Sequence, residues 1–327
     1  MRFRSFHRTL LPLVAVLALA ACHHQEEAAQ AGGSTPVEAM QQSVDLIKAG
    51  DFAGFWKHAL PPADYANLRT DWTHPRPDQK PITDQDRAQF TQTIQQLTAP
   101  NAENTLYTQV QPKLTQLEQQ YKDQLPVMIG IGQAIIGTGI AQSKKLTDDQ
   151  KQQANAVLAA MLPWAQKTPW FDQARAKQAV GVVVTTARKL DLKNPDELRA
   201  MDFDTAMKKY SLGFDGAKQL LSLYDLSIDD TLNSVKLTPG DNSNGHATIK
   251  VEYTLLGKPL SFESKLVQQD GRWYSEDLLR NVREAHEELL HPATSSTAAP
   301  TASAPAPATS TPVSAPTATA AAAAVKP

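Results

Sequence analysis

Ala247-Thr248-Ile249-Lys250-Val251-Glu252-Tyr253-Thr254-Leu255 decides the fold. Apolar and polar side chains alternate along it, and in a strand successive side chains point to opposite faces, so this segment reads as a strand with one buried and one wet face. Downstream, Gly257-Lys258-Pro259 reverses the chain into a second strand, Leu260 to Gln268. Asp270-Gly271 then supplies a sharp hairpin signal before Arg272-Trp273-Tyr274. Upstream, Leu232 to Leu237 reads as a further strand and Pro239 to Gly245 as a turn-rich loop. Ser275 caps a closing helix carrying Leu278, Leu279, Val282, Ala285 and Leu289. Residues 226–291 are therefore expected to form an antiparallel sheet of three to four strands plus a C-terminal helix.

Before that segment the apolar period is 3.6, not 2. Thr35-Pro36-Val37-Glu38 reads as a capping box with proline in the first turn, followed by Val37, Met40, Val44 and Ile47 on one face. Gly50 stops this helix, and Asp51 caps the next, which carries Phe52, Phe55, Trp56 and Leu60. Pro61-Pro62 opens a third with Tyr65, Leu68 and Trp72, and Thr83 to Asp86 caps a fourth with Phe90, Ile94 and Leu97. A long polar helix around Leu106 to Tyr121 is expected to kink or split at Pro112. Thr147-Asp148-Asp149-Gln150 is another capping box, leading to Val157, Leu158, Met161 and Leu162 before Pro163. The stripe Ala176 to Leu190 follows, and short helices around Phe203, Met207 and Leu220 close the series. The expected fold class is α+β and mostly helical, with the helices of residues 35–225 and the sheet region 226–291 forming one domain.

Pro126 to Ala141 stands apart, being uncharged and mostly apolar with Gly130, Gly132, Gly137 and Gly139. At this length it is shorter than a membrane span, so it reads as a central helix packed on all sides, its glycines marking close neighbours. The alternative is an element that contacts lipid or a partner.

The two ends of the chain carry a different message. Arg2, Arg4 and Arg8 precede an apolar run, Leu10 to Ala20, that closes on Leu19-Ala20-Ala21-Cys22, the pattern of a secretory signal in residues 1–21. Leu-Ala-Ala-Cys resembles the lipobox of bacterial lipoproteins, which implies acylation of Cys22 and attachment to a membrane. In such lipoproteins an aspartate after the cysteine favours the inner membrane; here the residue is His23, which points to the outer membrane of a Gram-negative bacterium, with the protein facing the periplasm. Cys22 is the only cysteine in 327 residues, so no intrachain disulfide forms. Residues 22–34 read as a lipidated flexible tether. Pro292 to Pro327, almost wholly Ala, Pro, Ser and Thr, reads as a disordered tail, a tolerated low-complexity end more than a spacer arm. Loss of residues 1–21 leaves 29 basic against 34 acidic side chains, a charge of about −5. That balance excludes a nucleic-acid partner and leaves membrane contact to the lipid.

Lys48-Ala49-Gly50-Asp51-Phe52 in an early helix and the late strands ending in Val267-Gln268-Gln269-Asp270-Gly271-Arg272-Trp273-Tyr274 are similar to the two ends of NTF2-like or cystatin-like domains. The core as a whole resembles an uncharacterised gamma-proteobacterial lipoprotein family. The NTF2-like resemblance implies a cone whose cavity, between sheet and helices, His58, Asp64, Tyr65, Tyr253 and Trp273 could line.

Catalytic patterns are sparse. His286-Glu287-Glu288-Leu289-Leu290-His291 has one residue too many for two zinc-binding histidines on one helix face, and reads as a solvated helix end. No serine sits in a Gly-x-Ser-x-Gly elbow. No metal site, cofactor or catalytic set is expected. The sequence points to a non-catalytic binding or scaffold lipoprotein whose partner is an envelope protein, with a small-molecule or lipid-binding domain, enzymatic or not, as the alternative.

Overall fold

The computed structural model describes residues 30–74, 80–144 and 146–291. Cys22, the cleavage site and the Pro292 to Pro327 tail lie outside them. The fold is α+β and mostly helical, with a four-stranded antiparallel meander near the C-terminus.

The sheet runs β1 (Lys236–Ser243), β2 (His246–Leu255), β3 (Lys258–Gln269) and β4 (Arg272–Ser275), adjacent in that order. Each pair is joined by a two-residue turn in which both residues have positive φ: Asn244-Gly245, Leu256-Gly257 and Asp270-Gly271. These are the twist-matched hairpin turns that favour Asn, Asp and Gly, and they hold the register with Val251 opposite Phe262 and Tyr253 opposite Leu260. Alternation in β2 is complete, with Ala247, Ile249, Val251, Tyr253 and Leu255 all buried.

Two elements depart from the sequence expectation here. The strand expected over Leu232 to Leu237 starts later, at Lys236, and continues through Pro239 and Gly240 to Ser243, where a loop was expected. β1 is an edge strand, where proline's missing N–H removes no ladder bond, and the pairing is irregular between Pro239 and Asn242. Leu232, fully buried, belongs instead to a short helix, Ile228–Asn233, whose N-cap Ser227 accepts from the Asp230 N–H.

Numbered in chain order, the helices are α1 (Pro36–Ala49), α2 (Phe52–Ala59), α3 (Pro62–Asp71), α4 (Asp84–Thr98), α5 (Ala102–Tyr121), α6 (Leu125–Gln142), α7 (Asp148–Lys167), α8 (Gln173–Leu190), α9 (Pro195–Ala200), α10 (Phe203–Ser222), α11 (Ile228–Asn233) and α12 (Glu276–Leu290). Thr83 with Asp86 and Thr147 with Gln150 form complete capping boxes. At α1 only half the box forms: Thr35 accepts from the Glu38 N–H, but the Glu38 carboxylate reaches one residue further back, to Ser34. That hydroxyl holds the Glu38 carboxyl below its usual range. α5 passes through Pro112 and α7 through Pro163 without ending. The region expected to hold short helices is the single 20-residue α10, whose Gly216 lets it approach Thr186 of α8 more closely than a side chain would permit.

The main core lies on the inner face of the sheet. Met40 and Val44 of α1 and Leu232 of α11 meet Ile249, Val251, Leu266 and Trp273 there. Burying side chains of this size contributes about 1.5–3 kcal/mol each. A second cluster, Phe52, Met201, Phe203, Ala206 and Met207, joins α2 to α10, with Tyr65 and Trp72 packed on it. Further along the same sheet face, α7 places Ala160, Val157 and Met161 against Tyr253, Leu255 and Phe262.

The flexible tether expected through Ser34 ends sooner. The Gly32 N–H donates to the His58 carbonyl (2.7 Å), and Gly33 and Trp273 exchange backbone bonds. Arg272 donates to the Ala31 carbonyl (2.9 Å) and to that of Gly32. Gly32 has φ +62°, and a Cβ there would lie 2.8 Å from the Tyr274 ring, so glycine lets this strap lie flat on β4.

Candidate functional site: an exposed apolar helix

Leu125-Pro126-Val127-Met128-Ile129-Gly130-Ile131-Gly132-Gln133-Ala134-Ile135-Ile136-Gly137-Thr138-Gly139-Ile140-Ala141-Gln142 forms α6 without a break. Pro126 sits in the first turn, where its missing N–H costs nothing, and the Ser143 N–H closes the C-terminus on Ile140. Four glycines and five isoleucines make this a weak helix by intrinsic propensity, glycine alone costing about 1 kcal/mol against alanine. Tertiary support comes chiefly from one side, α7, including a bond from the Gln166 amide to the Pro126 carbonyl (3.5 Å).

The central, fully packed helix expected for this stretch is not what forms. No residue of α6 is buried. Val127, Ile131, Ile135 and Ile136 are each more than half exposed, Ile135 reaching 67 %, and Met128 is about half exposed. At 100° per residue, Val127, Met128, Ile131 and Ile135 fall within an arc of about 100°. Half-buried Leu125, Ile129, Gln133 and Ile140 occupy the opposite side, against α7. The helix is thus apolar all round: Ile129 and Ile140 share the α7 side with Gln133, while Ile131 and Ile135 face outward and Ile136 is exposed as well. Neither do the glycines mark close neighbours: a Cβ added at Gly130, Gly132 or Gly139 would meet nothing within 4 Å. Each large exposed side chain leaves about 1–2 kcal/mol of burial unrealised. Patches of this kind on a folded protein mark contact surfaces.

α6 is the one described helix long and apolar enough to cross a membrane by length and composition. It is a layer stacked on α7, which is itself stacked on the end of the sheet.

The five residues considered as cavity-lining are dispersed through the fold. His58 is buried with its ring nitrogens 2.9 Å from the carbonyls of Gln30 and Ala39, a clamp between the strap and α1. Asp64 is buried and takes a bidentate pair from Arg283 of α12 (2.9 and 2.8 Å), which raises the Arg283 pKa further. Tyr65 lies on the α2–α10 cluster, edge-on to Phe203 and beneath the Arg69 guanidinium. Tyr253 packs against α7; burial pushes its phenol up, and its hydroxyl faces Gln153 without a hydrogen bond of normal geometry. Trp273 fills the main core. Where an NTF2-like cavity would open, Ile249, Val251 and Leu266 are packed against α1 and α11.

Helix α12 also differs from expectation. His286 is not solvated: its Nδ1 lies 2.6 Å from the Asp71 carboxylate, tying α12 to α3. His291, at the helix end, is exposed and 3.9 Å from Glu287. An open groove of about 860 Å³ runs beside α12, lined by Val267, Leu279, Arg280, Arg283, Glu284 and Glu287 among others. Its acids and arginines are largely paired along the helix or with Asp64. Among the described residues no group of three or more His, Cys, Asp or Glu side chains is placed to hold a metal ion. The sequence identified α6 as unusual through its missing charges; its exposure could not be read from composition, because a core helix has the same composition. Comparison with protein-family models, with curated proteins and with solved structures finds no match for this chain.

Proposed function

We propose that the protein is a lipid-anchored, non-catalytic binding or scaffold protein of the Gram-negative envelope, attached to the outer membrane through Cys22 and facing the periplasm. The observation that carries the binding role is α6, a folded helix that presents Val127, Met128, Ile131 and Ile135 to solvent on a body whose sheet face is filled by its own side chains. The anchor rests on Leu19-Ala20-Ala21-Cys22. Two or more acyl chains give durable attachment where one is marginal, because each buried methylene contributes about 0.8 kcal/mol.

Cellular fractionation tests the anchor. Wild-type protein should sediment with outer membranes, incorporate labelled fatty acid and have its maturation blocked by globomycin, whereas Cys22→Ser should incorporate no fatty acid and shift toward the soluble periplasmic fraction with its fold intact. Wild-type protein that matures normally in globomycin, or that incorporates no labelled fatty acid, would remove the acyl anchor from the proposal.

A further inference from the structure

We infer that α6 is a second membrane-contact element, a helix that lies along a bilayer surface with Val127, Met128, Ile131 and Ile135 among the acyl chains and its Gln133 side turned to α7. The inference rests on the envelope reading above but is separable from the acyl anchor.

Topology excludes a span. Residues before α6 (Met40, Val44) and after it (Ile249, Leu266, Trp273) share one core, so both ends of α6 must stay on the same side of any membrane. A helix of 18 residues, about 27 Å long, therefore lies parallel to the surface. Its immersed side has the composition for this: no charged residue occurs from Leu125 to Gln142, and the nearest charges, Lys122, Asp123 and Lys144, fall outside both ends. Protein interfaces surround an apolar centre with a polar rim. Here the exposed arc has none along its length, and only Thr138 and Gln142 near the C-terminal end are polar. Glycine, costly in a water-exposed helix, is more frequent in helices within membranes. The remaining chain supplies the proximity. Gln30 is fixed to His58, and Cys22 lies eight residues upstream, so acylation there would keep this fixed point within about 28 Å of a bilayer. A body tethered in this way meets the surface repeatedly, so a second contact elsewhere on it acts intramolecularly.

The contact is apolar, so it should not need anionic lipid or low salt, unlike a basic surface helix. The test uses the chain from residue 22 onward with Cys22→Ser, which has no acyl chain, floated with phosphatidylcholine vesicles. It should co-float in proportion to lipid, equally in 0.1 and 1 M NaCl. Ile131→Gln with Ile135→Gln should lower the partition coefficient by at least about tenfold, because two large apolar side chains leave the acyl region. Leu198→Gln, exposed on α9, should not change it. In the Cys22→Ser background Ile135→Cys is the only thiol, and an environment-sensitive dye attached there should shift to the blue with vesicles. Thermal melts identify any variant that has lost its fold. Absence of flotation, or flotation indifferent to the double substitution, overturns the inference. A concentration-dependent dimer abolished by that substitution, without flotation, would assign the face to a second copy of the chain. The vesicle assay contains no acylated protein, so its failure leaves the fractionation test of Cys22 standing, and the reverse holds as well.

Discussion

Strand β2 and helix α6 are both regular rows of apolar side chains, yet Ile249 and Val251 have no exposed surface whereas Ile135 is two-thirds exposed. The difference lies in their partners. β2 is flanked by two strands and faces α1, α11 and α7, so every odd-numbered side chain finds neighbours. α6 has α7 on one side and little else. Periodicity reports which side chains share a face; burial depends on what the rest of the chain places against that face.

Substitutions can break that comparison at several strengths. The largest effect should come from Trp273→Ala, which empties the core where the sheet, α1 and the Gly33 bridge meet, and should cost about 3–5 kcal/mol in denaturant unfolding. Ile249→Ala should cost about 2–4 kcal/mol for the same reason. An Ile249 variant within 0.5 kcal/mol of wild type would mean that β2 is not the core the packing describes. Gly32→Ala should destabilise by more than about 1 kcal/mol, since alanine is strained at φ +62° and its Cβ would strike Tyr274. In α6 the sign should reverse: Gly130→Ala and Gly139→Ala meet open space, and each should raise stability by up to about 1 kcal/mol through helix propensity. Smallest of all, Ile135→Gln should alter the melting free energy by no more than about 0.5 kcal/mol in the absence of lipid. A large loss there would show that α6 is buried in solution.

The same comparison explains which parts of the fold could be read from the sequence. β2, the Asp270-Gly271 hairpin and α1 are specified by local signals, namely a period, a turn dipeptide and a cap, and each forms where those signals fall. β1 escaped because Pro239, Gly240 and Asn242 carry loop signals that an edge strand tolerates. Leu232 was drawn into that strand because α11 is only six residues long, too short for a helical period to emerge. Pro112 and Pro163 are breakers by local chemistry, yet helices continue through both. At the candidate site, the lack of charge in α6 was legible and its exposure was not. The pairings of His286 with Asp71 and Arg283 with Asp64 join residues more than 200 positions apart, beyond the reach of any spacing rule.

The strap Gln30–Ser34 has a mechanical consequence. A pull on the chain upstream of Gln30 does not fray a loose terminus. It enters the fold where the Gly32 and Gly33 backbone bonds, the Arg272 guanidinium and the His58 ring engage side by side, on β4 and beside the start of α1. Force is shared among several hydrogen bonds strained together, so this end of the molecule should yield as a unit and not one bond at a time. The point at which the chain enters the fold is thereby stiff, with no looseness on the folded side of Gln30 to take up a pull.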